Sequence, residues 1–172
     1  MDDQYLDLAI QYYIAGRSAT FAYSTPVAGN LFHHAVEMLL KCFLIDSYSA
    51  DQLKYEFGHN LKKLWDAIKK VVNDPTLDKF DGIISDLNDF EEIRYPGKGF
   101  LINFYIHKVE RPEASGGCKF MKTKQYFTCL EDIDELFSAT LKGRVTIEWI
   151  KMLVMRGEAL AQYEKDNKHR LF

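Results

Sequence analysis

From Val27 to about Ile45 the chain is apolar almost all round: Val27, Leu31, Phe32, Ala35, Val36, Met38, Leu39, Leu40, Phe43 and Leu44 leave little room for a wet face. A helix of that kind belongs at the centre of a core, with other helices laid against it. Thr25-Pro26 supplies a start, a capping hydroxyl and then proline at the first helical position. One polar stripe interrupts the apolar surface: Asn30, His33 or His34, Glu37 and Lys41. Steps of three and four place these residues on one side of the helix.

The flanking segments supply the helices that such a centre needs. Residues from Asp3 to about Tyr23 read as a helix in which Ala9, Ala15, Gly16, Ala19 and Ala22 recur among Tyr12, Tyr13 and Phe21. Small residues admit a close neighbour, and Gly16 serves such an approach, because glycine costs up to about 1 kcal/mol relative to alanine in a helix. Residues 46–58 form a connector with one short turn around Ala50 to Tyr55. His59-Asn60 opens a third helix, with Asn60 or His59 at the cap, whose stripe Leu61, Leu64, Trp65, Ile68, Val71 and Val72 lies opposite Lys62, Lys63, Asp66, Lys69 and Lys70. Asn73-Asp74-Pro75 ends it and starts a fourth helix carrying Leu77, Phe80, Ile84, Leu87, Phe90 and Ile93. That helix stops at Tyr95-Pro96, because proline disfavours helix in the residue before it.

Beyond Gly97 the pattern changes. Phe100 to Val109 and Lys119 to Phe127 are rich in aromatic and β-branched residues, with Pro112 and Gly116-Gly117 between them. A β-hairpin insertion over about residues 97–128 is the expectation. A short acidic-headed helix from Leu130 to Phe137 follows, then a last helix from about Arg144 to Asp166. The fold class is therefore all-α, an up-and-down helical bundle with a β-hairpin before its last two helices. The 172 residues suit one domain, with no internal repeat and no shift of composition.

Bulk properties narrow the function classes. A net charge of -3 gives no global attraction to nucleic acid, so any such binding needs a local patch. No apolar run approaches the roughly 20 residues of a membrane span. The acidic start Met1-Asp2-Asp3-Gln4 does not read as a signal peptide. Cys42, Cys118 and Cys129 are too scattered for a disulfide framework or a zinc site, which suggests a cytoplasmic location. His33 and His34, being adjacent, point to different sides of a helix and do not suggest a metal pair. Neither a metal nor a cofactor is expected.

Three stretches carry a family resemblance, over about residues 10–96. They are Tyr12-Tyr13-Ile14-Ala15-Gly16-Arg17 continuing to Pro26; Val27 through Ala35-Val36-Glu37-Met38-Leu39-Leu40-Lys41; and Gly58-His59-Asn60-Leu61 closing with Phe90-Glu91-Glu92-Ile93-Arg94-Tyr95-Pro96. In this order and spacing the chain resembles HEPN-type domains (higher eukaryotes and prokaryotes nucleotide-binding), with their AVExxLK helix, GHxLxxL helix and RYP-type ending. The resemblance implies a helical bundle, often dimeric. In some members it also implies metal-independent RNA cleavage in toxin–antitoxin systems, where an arginine is followed about four to six residues later by a histidine. Here Arg94 is followed by Tyr95, Pro96, Gly97, Lys98, Gly99, Phe100 and Leu101, and the next histidine is His107. Lys98 could replace a cation but is a poor general base at neutral pH.

The candidate ligand-binding residues are Arg94, Tyr95, Lys98, His59, Asn30, His34, Glu37 and Lys41. The stripe on the central helix reads either as a polar pocket in which Glu37 orients a histidine or as a hydrogen-bonded seam, and the seam is the more economical account. His59 reads as a base beside the stripe or as part of a helix cap. Arg94 reads as a phosphate ligand or as the partner of Glu91 at a helix end. The lysines of the third helix read as a solvated face. Lys119, Lys122 and Lys124 with Phe120, Tyr126 and Phe127 resemble a nucleic-acid stacking platform, but aromatics packed on the bundle explain them as well. The function that follows is a non-catalytic HEPN-like binding or interaction module, a homodimer that takes a nucleotide, RNA or a partner protein. The alternative is a metal-independent ribonuclease with an altered site around Arg94, completed in space by His59 or His107.

Overall fold

Helix α1 (Asp3–Phe21) and helix α2 (Thr25–Leu44) are joined by three residues, of which Tyr23 turns the chain with φ +58°. A link this short makes the two helices antiparallel neighbours. The computed structural model describes residues 3–94, 100–109 and 124–140. Its contacts divide the chain into the units Met1–Leu136 and Phe137–Phe172.

Two details at this corner differ from expectation. Thr25 is already helical; Ser24 is at the cap and its side chain makes no capping bond. Pro26 keeps its expected place in the first turn. The close approach predicted at Gly16 is present: a Cβ there would lie 2.9 Å from the Phe32 ring. Gly29, which the spacing of small residues did not single out, is tighter still, with Phe90 ring atoms 2.0 Å from where its Cβ would be.

As its composition requires, α2 is the central element. Ala28, Phe32, Ala35, Val36, Leu39, Leu40 and Leu44 are fully buried. The connector contains a wide helical turn, Gln52–Phe57, that ends at Gly58 with φ +56°. Helix α3 (Leu61–Val72) then starts behind Asn60, whose side-chain oxygen accepts from the Lys63 N–H at 2.9 Å. Of the two residues proposed for the cap, Asn60 fills it, and His59 is left for other contacts. Asn73, left-handed at φ +51°, terminates α3.

The stretch expected as one fourth helix is built in three parts. A 3₁₀ turn, Pro75–Phe80, follows the Asp74 cap; helix α4 spans Asp81–Asp89; a second 3₁₀ turn, Phe90–Arg94, closes it. The Leu87 carbonyl meets His33 and the Phe90 ring covers Gly29, while Asp81 meets Trp65 and Asn88 meets the Leu61 N–H. Helix α4 therefore runs antiparallel to both α2 and α3. The last two share a direction, so strict up-and-down order is broken between them and the long connector carries the chain back.

The expected hairpin is corrected. Strand β1 (Phe100–Tyr105) and strand β2 (Lys124–Cys129) pair in parallel, Phe100 opposite Lys124 and Tyr105 opposite Cys129. A two-residue turn cannot join parallel strands; the chain must return to the starting end. Alternation of apolar residues reports which face is buried and is blind to strand direction, which is why the sequence pattern did not separate the two arrangements. The aromatics do pack on the helices: Tyr126 is buried against Phe90 and Ile93, with Ile102 beside them. Helix α5 (Leu130–Thr140) follows β2 directly. On it, Asp134 accepts hydrogen bonds from the Tyr13 hydroxyl and the Arg17 guanidinium of α1. The last helix expected from Arg144 to Asp166 lies outside the described residues.

The described residues are thus predominantly helical, with one small two-stranded parallel sheet. None of the described helices is long and apolar enough to cross a membrane.

Candidate functional site

The stripe on α2 is buried rather than exposed. His33, Glu37 and Lys41 are at most 6% accessible, each one helical turn from the next. A carboxylate and an ammonium in such a place must be mutually compensated, because burying either alone costs several kcal/mol. The Lys41 Nζ donates to Glu37 Oε1 at 2.7 Å.

The other oxygen of Glu37 is where the chain brings distant residues together. Oε2 lies 3.0 Å from His59 Nδ1 and 3.4 Å from His34 Nδ1. His34 sits one turn before Glu37 on α2, and its ring leans on Tyr12 of α1 at a centroid distance of 5.3 Å. His59 arrives from the other direction, placed by the turn at Gly58 and the cap at Asn60. The His34 and His59 rings are 6.2 Å apart, edge to face. His59 is 57% exposed and His34 25% in their side chains, so the buried carboxylate faces outward through two imidazoles.

Glu37 is ionised throughout the ordinary pH range. Burial opposes its charge, but hydrogen bonds from His34, Lys41 and His59 outweigh that and bring its pKa down to about 2. His33 belongs to the seam beneath. Its Nδ1–H donates to the Leu87 carbonyl at 2.9 Å, and its Nε2 stands 3.3 Å from Glu91 Oε2. Burial pushes the His33 pKa down, against the opposing pull of the Leu87 carbonyl, Glu37 and Glu91.

Of the residues proposed from the sequence, four therefore meet: His34, Glu37, Lys41 and His59. Asn30 does not join them; its side-chain amide donates back to the Pro26 carbonyl on its own helix at 3.2 Å. The Arg94 backbone ends the turn Phe90–Arg94. Its side chain, Tyr95 and Lys98 lie outside the described residues, and so does the expected Glu91–Arg94 pair. His107 is exposed two residues past β1 with Glu131 at 3.8 Å, and among the described residues no contact links it to the Glu37 cluster. Two participants were missed as site residues. His33 stands four residues before Glu37, the spacing that pairs helix neighbours, and Glu91 reaches His33 only through the fold.

Among the described residues, the third-helix lysines are interspersed with carboxylates, and Tyr126 packs into the core. Lys69 is held by Asp78 and Asp81, and Lys62 lies 3.9 Å from Asp89, which leaves the third-helix lysines in a mixed field. Tyr126 is buried and unavailable for stacking on a base. Lys119, Phe120 and Lys122 lie outside the described residues.

Comparison of the chain with protein-family models, with curated proteins and with solved structures finds no match.

Proposed function

We propose that this chain is a non-catalytic HEPN-like binding module, dimeric, whose ligand is a nucleotide or RNA taken at the His34–Glu37–His59 face. The observation that supports it is the way Glu37 is used. A carboxylate buried to 1% accessibility, held on one side by Lys41, turns its other oxygen to two imidazoles of which one is more than half exposed. A histidine held at Nδ1 by a carboxylate is fixed in orientation and presents its Nε2 edge outward. Such an edge hydrogen-bonds a base, a ribose hydroxyl or, when protonated, a phosphate. The family resemblance of the AVExxLK and GHxLxxL segments carries the nucleotide part of this reading, and it is analogy of fold. A partner protein in a toxin–antitoxin or defence setting is the related possibility for the same face.

The same juxtaposition favours a second reading, a metal-independent ribonuclease. Two histidines beside a carboxylate are the components of general acid–base attack by a ribose hydroxyl on its own phosphate. The altered site would centre on His34 and His59, with Arg94 as the cation.

One experiment addresses both. Fluorescent single-stranded RNA and labelled AMP are titrated with the wild-type chain and with His59→Ala in EDTA, and the RNA is then run on a denaturing gel. Binding without cleavage, weakened about tenfold or more in the variant, supports the module. Cleavage lost in the variant replaces it with the ribonuclease. No binding by the wild type removes the nucleotide reading and leaves the partner-protein form. Light scattering at several concentrations tests the dimer, and a monomer throughout would refute that part.

A further inference from the structure

We infer that His34, Glu37 and His59 form a binding site for a zinc-class divalent transition-metal ion, a role that sequence spacing alone argued against. One ligand atom from each residue lies within 4.8 Å of the other two. The two edges that share Glu37 Oε2 measure 3.0 and 3.4 Å. In a tetrahedral zinc site the ligand atoms stand about 2.0–2.1 Å from the ion, hence roughly 3.3 Å from one another. Two of the three edges already have that length. The third, between the two histidines, is at most 4.8 Å, and a turn of the His59 ring, which is more than half exposed, would close it.

The donor set selects the ion. Two imidazole nitrogens and one carboxylate oxygen suit zinc, cobalt and nickel; magnesium and calcium prefer sites built of oxygen. Lys41 acts on the set from behind. By holding Oε1 at 2.7 Å it leaves Oε2 as a single-oxygen ligand of fixed direction. Its charge also opposes the ion, so the site is weaker than a closed structural zinc site. Three protein ligands leave a fourth position toward solvent on the His59 side, the arrangement of sites that bind an exchangeable water or ligand rather than staple a fold.

By spacing alone, the adjacent His33 and His34 point to different sides of α2 and cannot share an ion. The fold discards His33, whose Nδ1 is taken by the Leu87 carbonyl, and supplies His59 from the next helix start instead. The inference stands apart from the nucleotide reading, since it needs no RNA and its test contains none.

Chelator-stripped protein is titrated with cobalt(II) and followed in the visible spectrum, then competed with zinc(II). The wild type is expected to bind one equivalent with the intense bands of a tetrahedral site, displaced by zinc. His59→Ala and His34→Ala are each expected to lose at least about tenfold in affinity, the scale on which even outer partners of metal ligands act. His107→Ala, a control outside the cluster, is expected to bind as the wild type does. His59 is on the surface, so its alanine variant can be verified as folded by circular dichroism. Absence of stoichiometric cobalt and zinc binding by the wild type would overturn the inference. So would binding unchanged in His59→Ala.

Discussion

Glu37 and His59 are 22 residues apart in the chain and 3.0 Å apart in space, where the central helix passes the start of the next. Glu37 contributes burial and charge, and His59 contributes exposure.

Lowering the pH should destabilise the fold in two stages. His33 has a depressed pKa, so its contribution is present above the ordinary histidine value of 6.5 and is lost as pH falls below it. Glu37, at about 2 against an ordinary 4.5, contributes fully above 4.5 and loses that contribution as pH falls toward 2. The second stage is worth on the order of 3 kcal/mol. Urea melts from pH 7 to pH 3 should show a steep acid limb that flattens in Glu37→Gln. An equally steep limb in that variant would place the acid sensitivity elsewhere.

Lys41→Met should cost about 3–5 kcal/mol, because it leaves the buried Glu37 charge without its ammonium. Replacing both members, Lys41→Met with Glu37→Leu, should recover most of the loss. A double variant no more stable than the single one would show that the pair is held for reasons other than mutual compensation.

Gly29→Ala should destabilise by about 1–3 kcal/mol, the range for overpacking. The added methyl would overlap the Phe90 ring, whose edge lies 2.0 Å from the Cβ position. Combining it with Phe90→Leu should make the glycine change milder. Chemical denaturation of the four proteins of the cycle gives the coupling, and simple additivity would contradict the contact.

Asn60→Ala should cost about 1 kcal/mol, the worth of a helix cap, whereas His59→Ala next to it should cost less. The Asn60 oxygen accepts from the Lys63 N–H, while His59 points to Glu37. Thermal melts of the two variants distinguish cap from site residue, and the reverse order would undo that assignment.

Asp134→Ala should cost about 1–3 kcal/mol, since it removes the acceptor of the Tyr13 hydroxyl and the Arg17 guanidinium. Burial and the nearby carboxylate both push the Tyr13 pKa upward, so its phenol should stay protonated to unusually high pH. In the variant the tyrosine titration followed by absorbance should move down. An unchanged titration would mean that the contact is not made in solution.

How much of this was legible beforehand differs from residue to residue. The boundaries of α1, α2 and α3 could be read from periodicity, from Pro26 and from the His59-Asn60 pair that opens α3, because those signals act within one or two turns of chain. The stripe Glu37–Lys41 was legible as a stripe for the same reason. Whether it faced water or the core depended on α4 and the turn after it, which lie some fifty residues on. The parallel pairing of β1 with β2 and the packing at Gly29 are likewise settled by distant neighbours.

What the chain order alone determined, then, is local: a central apolar helix, its neighbours, their caps, and a polar row on one side of α2. Only the tertiary structure decided that His59 would leave the cap to Asn60 and meet Glu37, and that His33 would be spent on the Leu87 carbonyl. The physical reason is that helical spacing specifies which residues share a face within one element. A site shared between elements depends on how their buried surfaces fit, and that fit is made by packing over the whole core.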